Sequence, residues 1–235
     1  MYVLIDWDNI EDSLRRQGPR YISDRIWGVL QKSMPHHVRD KDRLNVRLYG
    51  GWYGPTTLTP YGTEMAAKVQ SDFPFVLRNS AQQSRVTINC ELAHALLCLP
   101  KQTLTHTFRT RSRPRITCKH PTTVGCAETH CPTAIVHQFF SSGACSASQC
   151  SLRLEEFLTG NEQKLVDTML VSDIIHLAVS REPCISVVSS DDDLWPGMLM
   201  AMDQGSQVLQ LCTKYPSTYR LYHGMLSGRY SHSRL

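Results

Sequence analysis

YVLIDWDN, residues 2–9, places four apolar residues directly before a carboxylate, Asp6, and the pattern returns far along the chain in CISVVSSDDD, residues 184–193. Each is a short β-type run that ends in acid. In an open parallel α/β sheet, ligands and chemistry collect at the carboxyl ends of the strands. Two acidic strand ends from opposite halves of the chain are therefore expected to converge. Carboxylates held together repel one another unless a cation lies between them, and an all-oxygen donor set suits Mg2+ or Mn2+. The pairing points to a metal-dependent phosphoester enzyme.

Outward from residues 2–9, a helical region sets Ile10 and Leu14 on one face and is broken by Gly18-Pro19. A second pattern through Ile26, Val29 and Leu30 runs to Pro35. LNVRLY (44–49) alternates like a strand, residues 61–71 read as a helix of good formers, and FPFVL (73–77) is a third strand whose Pro74 marks an edge or a start. Residues 79–100 are ambiguous, with VTINC fitting a strand and ELAHALLCL a short helix. Residues 162–180 give an amphipathic helix through Leu165, Met169, Ile174, Leu177 and Ala178. Residues 194–203 form a helix with Pro196 in its first turn, QVLQLC (207–212) a fifth strand, 219–226 a last short helix, and 228–235 a frayed tail. Strand–helix alternation predicts an α/β fold with a mainly parallel five-stranded sheet.

The chain has 235 residues, 41% hydrophobic and 20% charged, enough for a sizeable core. No apolar run approaches the ~20 residues that span a membrane. The first strand begins almost at Met1 and leaves no room for a signal peptide, so a cytoplasmic protein is expected. Charge is uneven. Residues 101–150 hold six Lys/Arg against Glu128, a net +5, so that the chain's total of +4 leaves −1 for the remainder. A basic segment on a near-neutral body suggests an anionic partner, nucleic acid first, or a solvated basic loop. Of nine cysteines, Cys90, Cys98, Cys184 and Cys212 sit in apolar surroundings and read as core, while five fall between 118 and 150.

Three constellations carry the chemistry. Asp6 is placed to bind metal, Asn9 to cap the following helix or orient Asp6, and Asp8 reads as a helix cap. Lys164-Leu165-Val166-Asp167 opens the helix over 162–180, whose N-terminus lies at the carboxyl edge of the sheet, so Asp167 is the third carboxylate. Lys164 shares its face. Asp173 lies about 9 Å further along the axis, as a distant supporting group or the partner of a core polar residue. In the 189–193 run, Asp191 and Asp193 alternate toward the site, Asp192 turns aside, and Ser189 and Ser190 offer hydrogen bonds.

Together IDWDN, KLVD with Asp173, and SSDDDLWP followed by the Gly205-Ser206-Gln207-Val208 strand resemble the NYN branch of the PIN-like nucleases. The family pattern is a hydrophobic strand into D-x-x-N, a helix with K-x-V-D-x5-D, and a strand into S-G-D-S-D-F-x-P. The likeness covers residues 1–78 and 152–227, with Ser190 replacing the usual Gly, Asp192 the usual Ser and Leu194 the usual Phe. It implies a Rossmann-like α/β/α fold and a divalent-metal ribonuclease, with Asp6, Asp167, Asp191 and Asp193 as catalytic, metal-binding acids. The nuclease core would be 1–100 with 151–230, the insertion 101–150 and the tail 231–235.

The insertion has its own pattern. Cys126-x4-Cys131 and Cys145-x4-Cys150 are equal pairs with Cys118, His120, His130 and His137 nearby, a donor set suited to structural Zn2+; unpaired surface cysteines are the alternative. Its basic flank, with Arg109, Arg111, Arg113 and Arg115, would grip RNA. Two other readings compete. Asp6-x-Asp8 also opens the haloacid-dehalogenase phosphatase pattern, with Asp6 as nucleophile and Asp8 as general acid/base, although Asn9 stands where Thr or Val is usual. A non-catalytic RNA-binding protein is the third. No membrane partner is expected, and homo-oligomer formation is left open.

Overall fold

The computed structural model describes residues 1–38, 42–79, 84–111, 118–126, 128, 131–158, 160–213 and 228–235. β1 (Tyr2–Asp6) runs through a 3-10 turn (Trp7–Asn9) into α1 (Asp12–Arg15), α2 (Gly18–Ser33) and α3 (Pro35–Val38). β2 (Arg43–Tyr49), α4 (Pro60–Asp72), β3 (Phe75–Asn79), β4 (Ser84–Leu92) and β5 (Phe108–Arg111) come next. After α5 (Pro132–Ser142), α6 (Leu154–Phe157) and β6 (Gly160–Gln163) come α7 (Val166–Val179), β7 (Cys184–Val188), α8 (Trp195–Asp203), β8 (Gln207–Cys212) and β9 (Tyr230–Arg234).

Two compact units divide the chain: Met1–Phe108 with Gln163–Leu235, and Arg109–Glu162. The insertion thus starts and ends later than the 101–150 read from composition. Taken over Arg109–Glu162, six Lys/Arg face four Glu, a net +2, so the wider boundary dilutes the basic character.

In the first unit, seven strands run in the order β3-β4-β2-β1-β7-β8-β9 among the described residues, two more than the five expected. All neighbours pair in parallel except β3 with β4. β1 explains the pattern. Val3, Leu4 and Ile5 are fully buried, so both faces of the strand need cover, as in a central parallel strand. Val3 and Ile5 pack in a core with Ile22, Ile26 and Leu30 of α2 and Met65 of α4. Leu4 packs on the other face with Leu170 and Ile174 of α7 and Met198 of α8. Each such fully buried Leu or Ile stabilises the fold by ~1.5–3 kcal/mol.

Three expectations are corrected. The segment 228–235 is not a tail: β9 pairs in register with β8 from Val208↔Tyr230 to Cys212↔Arg234, and Leu235 is buried. ELAHALLCL is not a helix. Its first residues finish β4, the Ala93 N–H continues to the Leu48 carbonyl at 2.8 Å, and the Leu97 N–H is taken by the Asp173 carboxylate at 2.8 Å. The helix over 162–180 begins only at Val166, because β6 occupies 160–163 and Leu165 has a φ of +65°. Gly18-Pro19 does separate two helices as expected, and it forms the first turn of α2, a position that proline tolerates. The helix expected at 219–226 lies outside the described residues.

The second unit is built from short elements. α5 ends at Gly143, whose φ of +74° lets it cap the helix in the left-handed conformation. The Phe139 and Phe157 rings stand edge-on with centroids 5.9 Å apart. β5 and β6 pair as a two-stranded sheet.

Candidate metal centre

β1 lies between β2 and β7, so the chain leaves it to one side first and to the other only after β4. The crevice at the carboxyl ends of β1 and β7 is the topological switch point, where open α/β sheets hold ligands. Asp6 stands there, 4% exposed. Its Oδ1 accepts the Asn9 N–H at 3.3 Å, and its Oδ2 accepts the Ser189 hydroxyl at 2.9 Å. Ser189 Oγ in turn accepts the Asp191 N–H at 3.0 Å, and Asn9 Oδ1 accepts the Ser190 N–H at 3.0 Å. The two acidic strand ends are thereby stitched together by the residues between the carboxylates.

α7 supplies the third acid. Its first turn carries Asp167, and carboxylate oxygens of Asp6, Asp167 and Asp191 all lie within 4.8 Å of one another. Burial pushes Asp6 up to about 7, with the neighbouring Asp167 and Asp8 charges adding to the rise against the hydrogen bonds from Ser189 and Asn9. Asp167 is also raised, first by burial and then by the charges of Asp191 and Asp193. Burial and neighbouring charge disfavour the ionised forms of Asp6 and Asp167, which a hard divalent cation would relieve, and an all-oxygen donor set suits Mg2+ or Mn2+.

The remaining predicted residues fall in several places. Asp193 is exposed and outside the three-acid group, although its charge reaches Asp167; its N–H caps Asp191 Oδ1 at 3.0 Å. Asp8 turns to Arg15 at 3.0 Å, and burial still lifts its carboxyl above the ordinary range. Lys164 does not share a helical face with Asp167, since it precedes the helix, and its N–H bonds the Thr107 carbonyl at 2.9 Å. Asp173 is fully buried away from the triad. It accepts from the Tyr49 hydroxyl at 2.6 Å and the Leu97 N–H at 2.8 Å, and lies 3.3 Å from Arg47 Nε. Arg47 also holds Glu91 and the Ala95 carbonyl. The network ties α7, the helix bearing Asp167, to β2.

Three contributors carried no motif. Thr213, just past β8, donates its hydroxyl to the Asn9 carbonyl at 2.8 Å and its N–H to Ser190 Oγ at 3.2 Å. Gln210 donates to the Ser189 carbonyl at 3.0 Å and accepts from the Tyr230 hydroxyl at 2.6 Å. The one signal in the sequence was positional, because a polar residue ending a strand of a parallel sheet sits at the edge where the site forms.

In the second unit all five cysteines are free. Among the described residues the Asp6–Asp167–Asp191 group is the one set of three or more His, Cys, Asp and Glu donors drawn within 4.8 Å; Cys126 and Cys131 are in contact, but no third donor joins them within that distance. Hydrogen bonding to Thr133 and contact with Cys126 hold the Cys131 thiol below its ordinary range. Of the cysteines read as core, Cys184 and Cys212 are buried but Cys98 is exposed. Arg109 pairs with Glu162 at 2.7 Å. The Arg111 side chain, Arg113, Arg115 and His130 lie outside the described residues.

Comparison with known proteins gives no match to a family model, a curated protein or a solved structure. Among the described residues no helix is long and apolar enough to cross a membrane.

Proposed function

We propose that this chain is a divalent-metal-dependent endoribonuclease with the Rossmann-like architecture of the NYN branch of PIN-like nucleases. One observation carries the reading: Asp6, Asp167 and Asp191, from β1, α7 and the turn after β7, bring oxygens within 4.8 Å at the switch point of a mainly parallel sheet. Mg2+ or Mn2+ held there would activate water and stabilise charge developing on a scissile phosphate. Ser189 and Asn9 fix the orientation of Asp6, and the raised carboxyls of Asp6 and Asp167 make binding of the cation and release of protons one event. The resemblance of the three motifs supplies RNA as the substrate class, and a basic flank in the insertion is its second contact.

Asp6 also bears on the phosphatase reading. Asp6 Oδ1 and Oδ2 each accept one hydrogen bond, an arrangement that suits a metal ligand and a nucleophile alike, while Asp8 is drawn to Arg15, so it is Asp8 that separates the two readings. The test is cleavage of labelled single-stranded RNA with Mn2+ or Mg2+, with and without EDTA, beside a generic phosphomonoester. Internal cutting that is lost in Asp191→Asn and survives in Asp8→Ala is the expected result. Phosphomonoester turnover lost in Asp8→Ala, with RNA uncut, would refute the nuclease.

A further inference from the structure

α1 and α4 flank an open cleft of about 390 Å3 lined by Arg15, Arg16, Tyr61 and Lys68, together with Asp12, Glu64 and Met65. Its size falls within the ~300–1,000 Å3 of small-ligand clefts. Two links join it to the residues just after Asp6. Trp7, fully buried, donates its indole N–H to the Tyr61 hydroxyl at 2.6 Å, and Asp8 accepts from Arg15 at 3.0 Å.

Tyr61 is 42% exposed, yet its ring is held in place. Besides the Trp7 bond, the Trp52 ring packs with its centroid 6.0 Å away. The next residue is Gly62, where a Cβ would come within 2.5 Å of the Trp52 carbonyl oxygen, so the chain can lie this close to Trp52 only without a side chain. A fixed aromatic face loses little freedom on binding a planar ligand. The cations differ in engagement: Arg15 is held by Asp8 and Asp12, Lys68 pairs with Glu64 at 2.7 Å, and Arg16 is exposed. A rigid π-face beside guanidinium groups matches a base and its phosphate together.

We infer that this cleft binds one nucleotide of single-stranded RNA next to the scissile phosphate, with the base stacked on Tyr61 and the phosphate facing Arg15 and Arg16. The inference rests on the ribonuclease reading of the acidic centre. A paired base has no free face for Tyr61, so the strand must be single.

The test uses the full chain in an Asp191→Asn background with Mg2+, so that no strand is cut, and fluorescence anisotropy of short labelled oligo(A), oligo(U) and duplex RNA. Tyr61→Leu is expected to weaken single-strand binding roughly tenfold, and Tyr61→Phe to keep it within about twofold. Arg16→Ala should flatten the dependence of log affinity on log salt by roughly 0.7. Duplex binding as tight as single-strand binding, or no single-strand binding, would overturn the inference. So would Tyr61→Leu that binds like its parent; should that variant fail to fold, the Arg16→Ala slope decides. Cleavage is scored separately on the chain with Asp191 intact. A protein that cuts RNA but ignores both substitutions loses the cleft and keeps the nuclease. One that binds through Tyr61 and Arg16 but never cuts keeps the cleft and loses the nuclease.

Discussion

Two regions of this molecule are rich in metal-binding side chains, and they behave oppositely. Asp6, Asp167 and Asp191 come from distant parts of the chain and meet within 4.8 Å, whereas among Cys126, Cys131, Cys145 and Cys150, neighbours in sequence, Cys126 and Cys131 touch and no three lie that close. The acids are delivered by the ends of β1 and β7 and the start of α7, elements whose positions are set by fully buried side chains. The cysteines sit in irregular segments, Cys131 at the N-cap of α5, with partly or largely exposed side chains. Convergence of donors depends on the rigidity of what carries them, not on spacing along the chain.

The contrast can be broken at its centre first. Asp191→Asn should reduce RNA cleavage by ~10³-fold or more, about 4 kcal/mol of transition-state stabilisation, in a gel assay of labelled RNA with Mn2+. A variant within tenfold of wild type would move the metal site elsewhere.

A comparably large effect is expected in stability against pH. Asp6 rises from 3.8 to about 7, so the metal-free native state holds its proton over a range where the unfolded chain has released it. The contribution is fully present below about pH 4 and is lost as pH rises through about 7, to a total near 4 kcal/mol at 1.36 kcal/mol per pH unit. In EDTA, denaturation of wild type against Asp6→Asn should show wild type losing ground across that window. Saturating Mg2+ or Mn2+ should offset the loss at high pH, since the cation takes the ionised form. A constant difference between the two proteins would refute the assignment.

Asp173→Ala leaves Arg47 with Glu91 as its carboxylate and strips the Tyr49 hydroxyl and the Leu97 N–H of their buried acceptor, and should lower stability by about 3 kcal/mol in urea melts. Phe157→Ala in the second unit is the matched control. With 63% of that residue exposed, the loss should stay under ~1 kcal/mol. Equal costs for the two would mean that the second unit is as tightly built as the first.

Much of the site was legible because parallel strands buried on both faces read as unbroken apolar runs, and YVLI and CISVV are such runs. The residues just past each run stand at the active edge. α4 was legible from its good helix formers. β9 was not, because YSHSR has almost no apolar content and becomes a strand only through the edge that β8 offers. ELAHALLCL misled for the converse reason: its helical composition is overridden by backbone hydrogen bonds to Leu48 and Asp173, partners far away in sequence. Lys164 was misplaced by the left-handed backbone at Leu165, a conformation that a leucine does not advertise. Thr213, Gln210 and Tyr230 carried no motif because each acts on another supporting residue and none on the acids themselves.

That last chain has a bearing on when the protein becomes competent. Tyr230 grips Gln210, Gln210 grips the Ser189 carbonyl, and Ser189 aligns Asp6. A ribosome therefore makes the first carboxylate of the centre long before it makes the outermost of the groups that steady it. Until residues 230–234 have emerged and joined β8, the nascent polypeptide carries its acids without that brace.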